Sequence, residues 1–278
     1  MKGNTYSTRN DDLGPTSPNI LPRRKALLLY LAGALGQILA VCVIVFILRR
    51  CGVTVDYTSA AGLIAVGIGG TSSALWGAVM TVRYKGYAPI RIVSDFFDVR
   101  QRYSSYLLVL MLLLLDFFSL FFGGSIGINA WYVPAILFLK ALLFGGIEEI
   151  GWRYFFQPVM QEKRGYIVST LITFLCWGIW HLAFFYIDGT LSVMGISDAA
   201  SFLVGLFVNC FILSAMYIRT RSLWICVMTH ALINVLSQIT AGGNGYVRGV
   251  CCIVIIVIAV SLSKKDDTSV EGTHRDER

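Results

Sequence analysis

The sequence predicts an all-α polytopic membrane protein of about eight transmembrane helices. Three observations lead there. Hydrophobic residues make up 56% of the chain and charged residues 14%, a balance foreign to water-soluble globules. Apolar runs long enough to span hydrocarbon recur along nearly the whole length. Lys and Arg collect at the ends of those runs, as orientation signals do. The net charge of +7 is therefore read by position. No basic patch interleaved with aromatic residues occurs, which sets nucleic acid aside as a partner and leaves the lipid bilayer.

Taken in order, residues 1–24 are rich in Asn, Asp, Ser, Thr and Pro and read as a disordered cytoplasmic tail. Arg23, Arg24 and Lys25 lead into a first span of about Ala26 to Leu48, closed by Arg49 and Arg50. It is too long for a cleaved signal segment and reads as a signal anchor. A second span covers roughly Ala60 to Val82, where Gly67, Gly69 and Gly70 allow close helix contact. Residues 83–106 mix five basic side chains with Ile90, Ile92, Val93, Phe96 and Phe97, the pattern of an amphipathic connector lying in the interface. The third span, about Leu107 to Phe122, contains Asp116 and completes an N-terminal unit over 25–130.

A core domain is expected over 131–240. Its fourth apolar segment runs from Trp131 to about Met160, long enough to project past the bilayer. The fifth covers Tyr166 to Ile187, the sixth Ala199 to Ile218 and the seventh Leu223 to Ile239. Residues 241–263 supply the last span, and 264–278 form a charged cytoplasmic tail holding His274. Basic residues fall overwhelmingly on one side: the N-terminus, the 83–102 group, Lys163 and Arg164, Arg219 and Arg221, and the C-terminal tail. Only Arg49, Arg50 and Arg248 fall on the other. This places the chain in the cell membrane with both termini cytoplasmic.

The chemistry sits where charge enters an apolar segment. Glu148, Glu149 and Arg153 follow an apolar stretch from Trp131, and intramembrane ionisable groups mark functional sites by default. Glu149 and Arg153 are four apart and share a helix face, so they pair. Glu148 is rotated by roughly 100° and has no helical partner of opposite charge. His181, His230 and Asn234 lie inside apolar runs, the last two again four apart. Burying these groups separately would cost several kcal/mol each, so they are expected to converge on one wet cavity. Helix-length arithmetic requires the fourth and fifth helices to protrude by about two turns, roughly 11 Å, and then opens the cavity to the cytoplasm.

A carboxylate, two imidazoles and a carboxamide suit peptide-bond hydrolysis by an activated water. The carboxylate takes the proton, one imidazole holds the water, and the other imidazole with the amide stabilises the oxyanion. Two His and a carboxylate also ligate zinc, so a divalent metal on Glu148, His181 and His230 stays open. No H-E-x-x-H helix speaks for it.

These residues resemble a known family. Glu148-Glu149-x-x-x-Arg153, Trp177-x-x-x-His181 and His230-x-x-x-Asn234 are similar to the three motifs of the CAAX-protease and bacteriocin-processing family (CPBP, or Abi), bacterial branch, which includes the type II CAAX prenyl endopeptidases. The resemblance covers about residues 131–240. It implies an intramembrane endopeptidase, in a family often labelled metalloprotease, acting on a membrane-associated peptide or protein. It also implies the roles: Glu148 as general base, His181 on the water, His230 and Asn234 at the oxyanion, Glu149 and Arg153 shaping the site. Trp177 stands where the family motif usually begins with Phe and keeps an aromatic wall. A non-catalytic regulator or bacteriocin self-immunity protein of the same family is the alternative. A transporter lined by Asp116, Lys140 and Asn209 is weaker, because no paired half-repeats occur; Lys140 and Asp116 are expected to pair with buried polar groups between helices. The seven cysteines, without a C-x-x-C pair, read as reduced packing residues.

Overall fold

The computed structural model describes residues 21–273, and side chains up to Lys264. Most of the expected N-terminal tail and the end of the C-terminal tail, His274 included, lie outside the described residues.

The chain is an all-α polytopic membrane protein. Helix α1 (Arg23–Arg50) is followed by α2 (Ala60–Gly70), α3 (Ser72–Lys85), α4 (Pro89–Phe96) and α5 (Tyr103–Asp116). A short strand β1 (Gly124–Ile126) precedes α6 (Val133–Ala141). The motif lies on α7 (Glu148–Gly151), continued by α8 (Gln157–Gln161). Then come α9 (Tyr166–Asp188), α10 (Thr190–Val193), α11 (Ile196–Thr220) and α12 (Leu223–Ile239). Strand β2 (Thr240–Gly242) pairs antiparallel with β1, Ile126 opposite Thr240, and α13 (Gly245–Thr273) follows.

Among the described residues five helical stretches are long and apolar enough to cross a membrane: 23–50, 60–85, 166–188, 196–220 and 245–264. Helices α5 and α12 are apolar but shorter. Outward side chains such as Leu28, Val43, Ile44, Leu63, Leu175 and Ile253 are exposed, which lipid tolerates and water does not.

Three expectations change in detail. The second span is two helices, broken at Thr71. The Thr71 hydroxyl donates back to the Gly67 carbonyl at 2.8 Å, a contact that bends helices, next to the poor helix formers Gly69 and Gly70. Gln37 of α1 repairs the break: its amide donates to the Ile68 carbonyl at 2.7 Å and accepts from the Trp76 indole at 3.0 Å. The amphipathic connector over 83–106 takes in the end of α3 and the start of α5, and its own helix is short, Pro89 to Phe96, burying Ile92 and Phe96. The fourth segment is helical but interrupted by two π-turns, Leu142–Gly146 and Trp152–Phe156.

Beyond the motif the fourth segment packs against the rest of the bundle. Residues 152–157 are all buried, 162–165 are exposed, and Gln157 is 2% exposed. Its amide nitrogen donates to Thr170 at 2.9 Å and its oxygen accepts from Ser214 at 2.6 Å, so the polar side chain is satisfied inside the bundle. Tyr30 stacks with Phe156 at 5.3 Å and meets Trp152 edge-on at 5.6 Å. Arg23 donates to the Val159 carbonyl at 3.2 Å, Lys85 to the Tyr154 carbonyl, and Tyr154 to Asp95 at 2.5 Å. A dry aromatic plug thus closes the end of the bundle that carries the basic loops. At the opposite end Arg49 ties the end of α1 to the Tyr186 and Ile187 carbonyls of α9 at 2.9 and 3.1 Å.

Helix α3 approaches the motif backbone closely. A Cβ at Gly77 would lie 2.4 Å from the Gly151 Cα, and one at Gly151 would lie 2.3 Å from the Ser73 hydroxyl. Backbone atoms cannot yield as side chains do, so Gly77→Ala is expected to cost about 1–3 kcal/mol. Thermal unfolding in detergent should show a clear drop for Gly77→Ala and none for Gly36→Ala, whose Cβ would meet nothing within 4 Å. Equal melting temperatures would refute the close approach.

Candidate active site

The two π-turns determine where the motif points. A π-turn inserts an extra residue into an α-helix and recurs at functional sites. Between them α7 is one turn long and carries both glutamates in its first two positions. The consecutive side chains diverge: Glu148 is directed to α9, Glu149 to α12.

Glu149 is fully buried and doubly partnered. Its Oε1 lies 2.7 Å from His230 Nδ1, and its Oε2 lies 3.5 Å from Arg153 Nε. Arg153, also fully buried, donates to the Cys210 sulfur at 3.4 Å and sits 4.3 Å from the Trp177 ring centroid, a cation–π contact. The expected Glu149–Arg153 pair is therefore present, but half of an arrangement whose other half is an imidazole from α12. Spacing along one helix could not show that contact.

Glu148 is 4% exposed. Its Oε2 accepts from the Trp177 indole N–H at 2.7 Å and lies 3.8 Å from His181 Nε2. Trp177 is thus more than the aromatic wall expected from the sequence. It is a hydrogen-bond donor that the usual Phe could not be, and its ring stands between the imidazoles, 5.2 Å from His181 and 5.4 Å from His230. The Glu148 carbonyl accepts from Ser73 at 3.2 Å, and Ser73 shares a hydrogen bond with Tyr30 at 3.1 Å.

Glu148, Trp177, His181, His230 and Asn234 line a single cavity of about 890 Å³. Glu149 and Arg153 stand behind it. Gly145, in the first π-turn, makes room: a Cβ there would lie 2.4 Å from Asn234 Nδ2 and 3.2 Å from His230 Nε2. Those two nitrogens are therefore adjacent and turned toward the space beside Glu148. Two further cavity residues, Asn209 of α11 and Lys140 of α6, were legible only as polar residues in apolar runs. The expected pairing of Lys140 is not found: it is exposed on the cavity wall. Asp116 instead feels the charge of Arg248.

Among the described residues no three His, Cys, Asp or Glu side chains are grouped to hold an ion.

The cavity lies in one half of the bundle. It is walled by α2, the end of α6 with the first π-turn, the second half of α9, the first half of α11, α12 from His230 onward, Tyr57 of the 51–59 loop, and Arg248 at the start of α13. All of these face the end opposite the basic loops. Of the cysteines, Cys210, Cys226 and Cys251 are buried and Cys51, at the cavity end, is exposed; all seven are free.

Residues 129–236 match the family model described as type II CAAX prenyl endopeptidase Rce1-like. The match runs from α6 into α12, which supply most of the cavity lining, and supports a CAAX-protease family assignment for that segment. None of the curated proteins compared with the chain matches it.

Removing Arg153 would leave Glu149 buried with its imidazole contact alone. Breaking a buried ion pair from one side costs about 3–5 kcal/mol. Arg153→Ala should therefore lower the melting temperature or the folded yield sharply. Arg153→Lys should rescue only in part, since an ammonium lacks the planar stacking on Trp177. Unchanged stability of Arg153→Ala would overturn the neutralising role.

Proposed function

We propose that the protein is an intramembrane endopeptidase that hydrolyses a peptide bond of a membrane-associated peptide or protein, with residues 131–240 as its working unit. The observation that carries this reading is the convergence of one carboxylate, two imidazoles and a carboxamide on one cavity, within a segment that matches a protease family. Glu148 acts as general base. Its Oε2 is steadied by Trp177, and a water held between its carboxylate and His181 loses a proton to it as the water oxygen attacks the carbonyl carbon. The carbonyl electron pair moves onto oxygen. The resulting oxyanion accepts hydrogen bonds from Asn234 Nδ2 and His230 Nε2, neighbours across Gly145. Collapse expels the amine, which takes its proton from Glu148, and the carboxylate is restored.

His230 turns Nδ1 to Glu149 at 2.7 Å, which gives the second glutamate a task of its own: it positions the imidazole without touching substrate.

Charge distribution supports an orientation in which the cavity faces away from the cytoplasm. The basic 83–102, 163–164 and 219–221 segments lie at the plugged end, where positive residues are retained in the cytoplasm, and the cavity lies at the other. On this reading both termini remain cytoplasmic, as the sequence suggested. This reading differs from the helix-length estimate, which opened the cavity to the cytoplasm. The substrate bond is then one already carried to the outer half of the membrane.

Two measurements test these points. Glu148→Gln and His181→Ala should each lower cleavage by about 10²–10⁴-fold while insertion and melting temperature stay near parental values. Parental cleavage by either variant refutes the chemistry, and full cellular activity of Glu148→Gln would indicate a non-catalytic role. For orientation, a membrane-impermeant maleimide applied to intact cells should label the exposed Cys51. In a Cys51→Ser background it should leave an Arg164→Cys variant unlabelled until the cells are opened. The reverse pattern would place the cavity on the cytoplasmic side.

A further inference from the structure

Gly86, at φ 68°, turns the chain out of α3, and Pro89 opens α4 soon after. Two stripes run along this short helix. Ile92 and Phe96, four apart, are buried where α4 packs on α3 and α12. Ile90, Val93 and Phe97 make a second stripe, and all three are exposed. Val99 and Tyr103 extend it, with Ile90 and Tyr103 at 74% and 79% exposure. Around the stripe stand Arg83, Lys85, Arg91, Arg100 and Arg102 against Asp95 and Asp98. Part of this charge is engaged within the fold. Lys85 donates to the Tyr154 carbonyl, and Arg91 lies 3.7 Å from Asp95 and 3.8 Å from the Tyr87 ring centroid. Asp98 accepts from the Arg100 backbone N–H and the Gln101 amide at 3.3 and 3.0 Å. Arg100 and Arg102 are exposed, and among the described residues neither side chain forms an ion pair. The loop that carries them is held in place. The Trp224 indole of α12 donates to the Tyr106 hydroxyl at 3.0 Å, and that hydroxyl donates to the Val99 carbonyl at 2.6 Å.

An apolar stripe flanked by arginines suits neither water nor hydrocarbon alone. It suits their boundary, where acyl chains cover the stripe and headgroups meet the cations. We propose that α4 with Arg100 and Arg102 is a docking surface for anionic phospholipid in the leaflet at the plugged end, and that lipid seated there steadies the segment following the motif. A zwitterionic headgroup offsets its phosphate with its own ammonium, so the excess of basic over acidic side chains favours lipid of net negative charge. The route inward is short. Asp95 of α4 accepts from the Tyr154 hydroxyl at 2.5 Å. Tyr154 lies in the second π-turn, next to Arg153, the partner of Glu149. The surface lies outside the cavity and goes beyond the peptidase reading.

The full chain, in a Cys51→Ser background, is given a fluorophore at Ile90→Cys and placed in nanodiscs that mix phosphatidylcholine with phosphatidylglycerol. A nitroxide quencher is carried by one lipid or by the other. At equal mole fraction, nitroxide phosphatidylglycerol should quench as if enriched by on the order of tenfold, and the preference should weaken with salt. Arg100→Gln with Arg102→Gln should remove most of it, while Lys163→Gln with Arg164→Gln should leave it in place. Equal quenching by the two lipids overturns the surface, and so does a preference that survives loss of both arginines. An equal loss in the Lys163 and Arg164 variant overturns it too, by assigning the preference to the whole basic face. Absence of quenching by either lipid would mean that protein, such as a second copy of the chain, covers the stripe. The inward route has its own readout. Phosphatidylglycerol should raise the melting temperature of the unlabelled chain by several degrees, and Tyr154→Phe should lose most of that rise while keeping the lipid preference. An undiminished rise in Tyr154→Phe removes the link to the π-turn. Neither measurement uses cleavage, so both outcomes stand whether or not the chain proves to be a peptidase.

Discussion

A carboxylate without water around it must be answered by another charge, and in this bundle that requirement falls on Glu149. It is fully buried, and two side chains from different places satisfy it: Arg153 one helical turn away and His230 from α12. The first contact is local and costs little order. The second fixes how α12 docks against the motif helix, because a 2.7 Å contact leaves no freedom to slide. With Glu149 answered, Glu148 is the carboxylate left facing the cavity. The division of labour between neighbouring glutamates is thus set by burial: one neutralised and structural, the other presented to whatever enters.

Sequence reasoning reached this far because membranes make polar residues conspicuous. Glu148, His181, His230 and Asn234 stand out in apolar runs, and spacings of four assign faces. What escaped depends on bonds between segments. The Trp177 N–H on Glu148 and the His230 ring on Glu149 join residues far apart in the chain, and no periodicity reports them. Gln157 shows a second limit. A polar side chain near a helix end reads as exposed, yet here Thr170 and Ser214 satisfy it inside the core. Span boundaries moved where helix chemistry is subtle, as at Thr71, whose hydroxyl bends a helix that hydropathy reads as continuous.

Glycine does in this bundle what bulk does elsewhere. Gly77 and Gly151 let α3 and the motif helix touch through their backbones, which brings Ser73 onto the Glu148 carbonyl. That carbonyl also accepts from the Trp152 N–H, so the Ser73 hydroxyl is its second donor. Gly145 serves the opposite purpose. It keeps space open beside two side-chain nitrogens that any larger residue would cover. Close approach on one face of the segment and vacancy on the other are both needed for a carboxylate to be held rigidly at the edge of a cavity.

The π-turns make these demands compatible. An uninterrupted α-helix advances 100° per residue, so the faces of Ala141, Gly145, Glu149 and Arg153 would drift only slowly around the axis. Each π-turn adds about one residue's rotation without adding a turn's length. The first one therefore re-aims α7 relative to α6, and the second re-aims the aromatic stretch relative to α7. Lys140 and Gly145 before the motif can then line the same cavity as Glu148, while Trp152, Phe155 and Phe156 after it turn inward and close the basic end. A straight helix would have carried one face through both halves of the bundle. By changing face twice, one segment can wall a wet cavity toward one membrane surface and fill a dry plug toward the other.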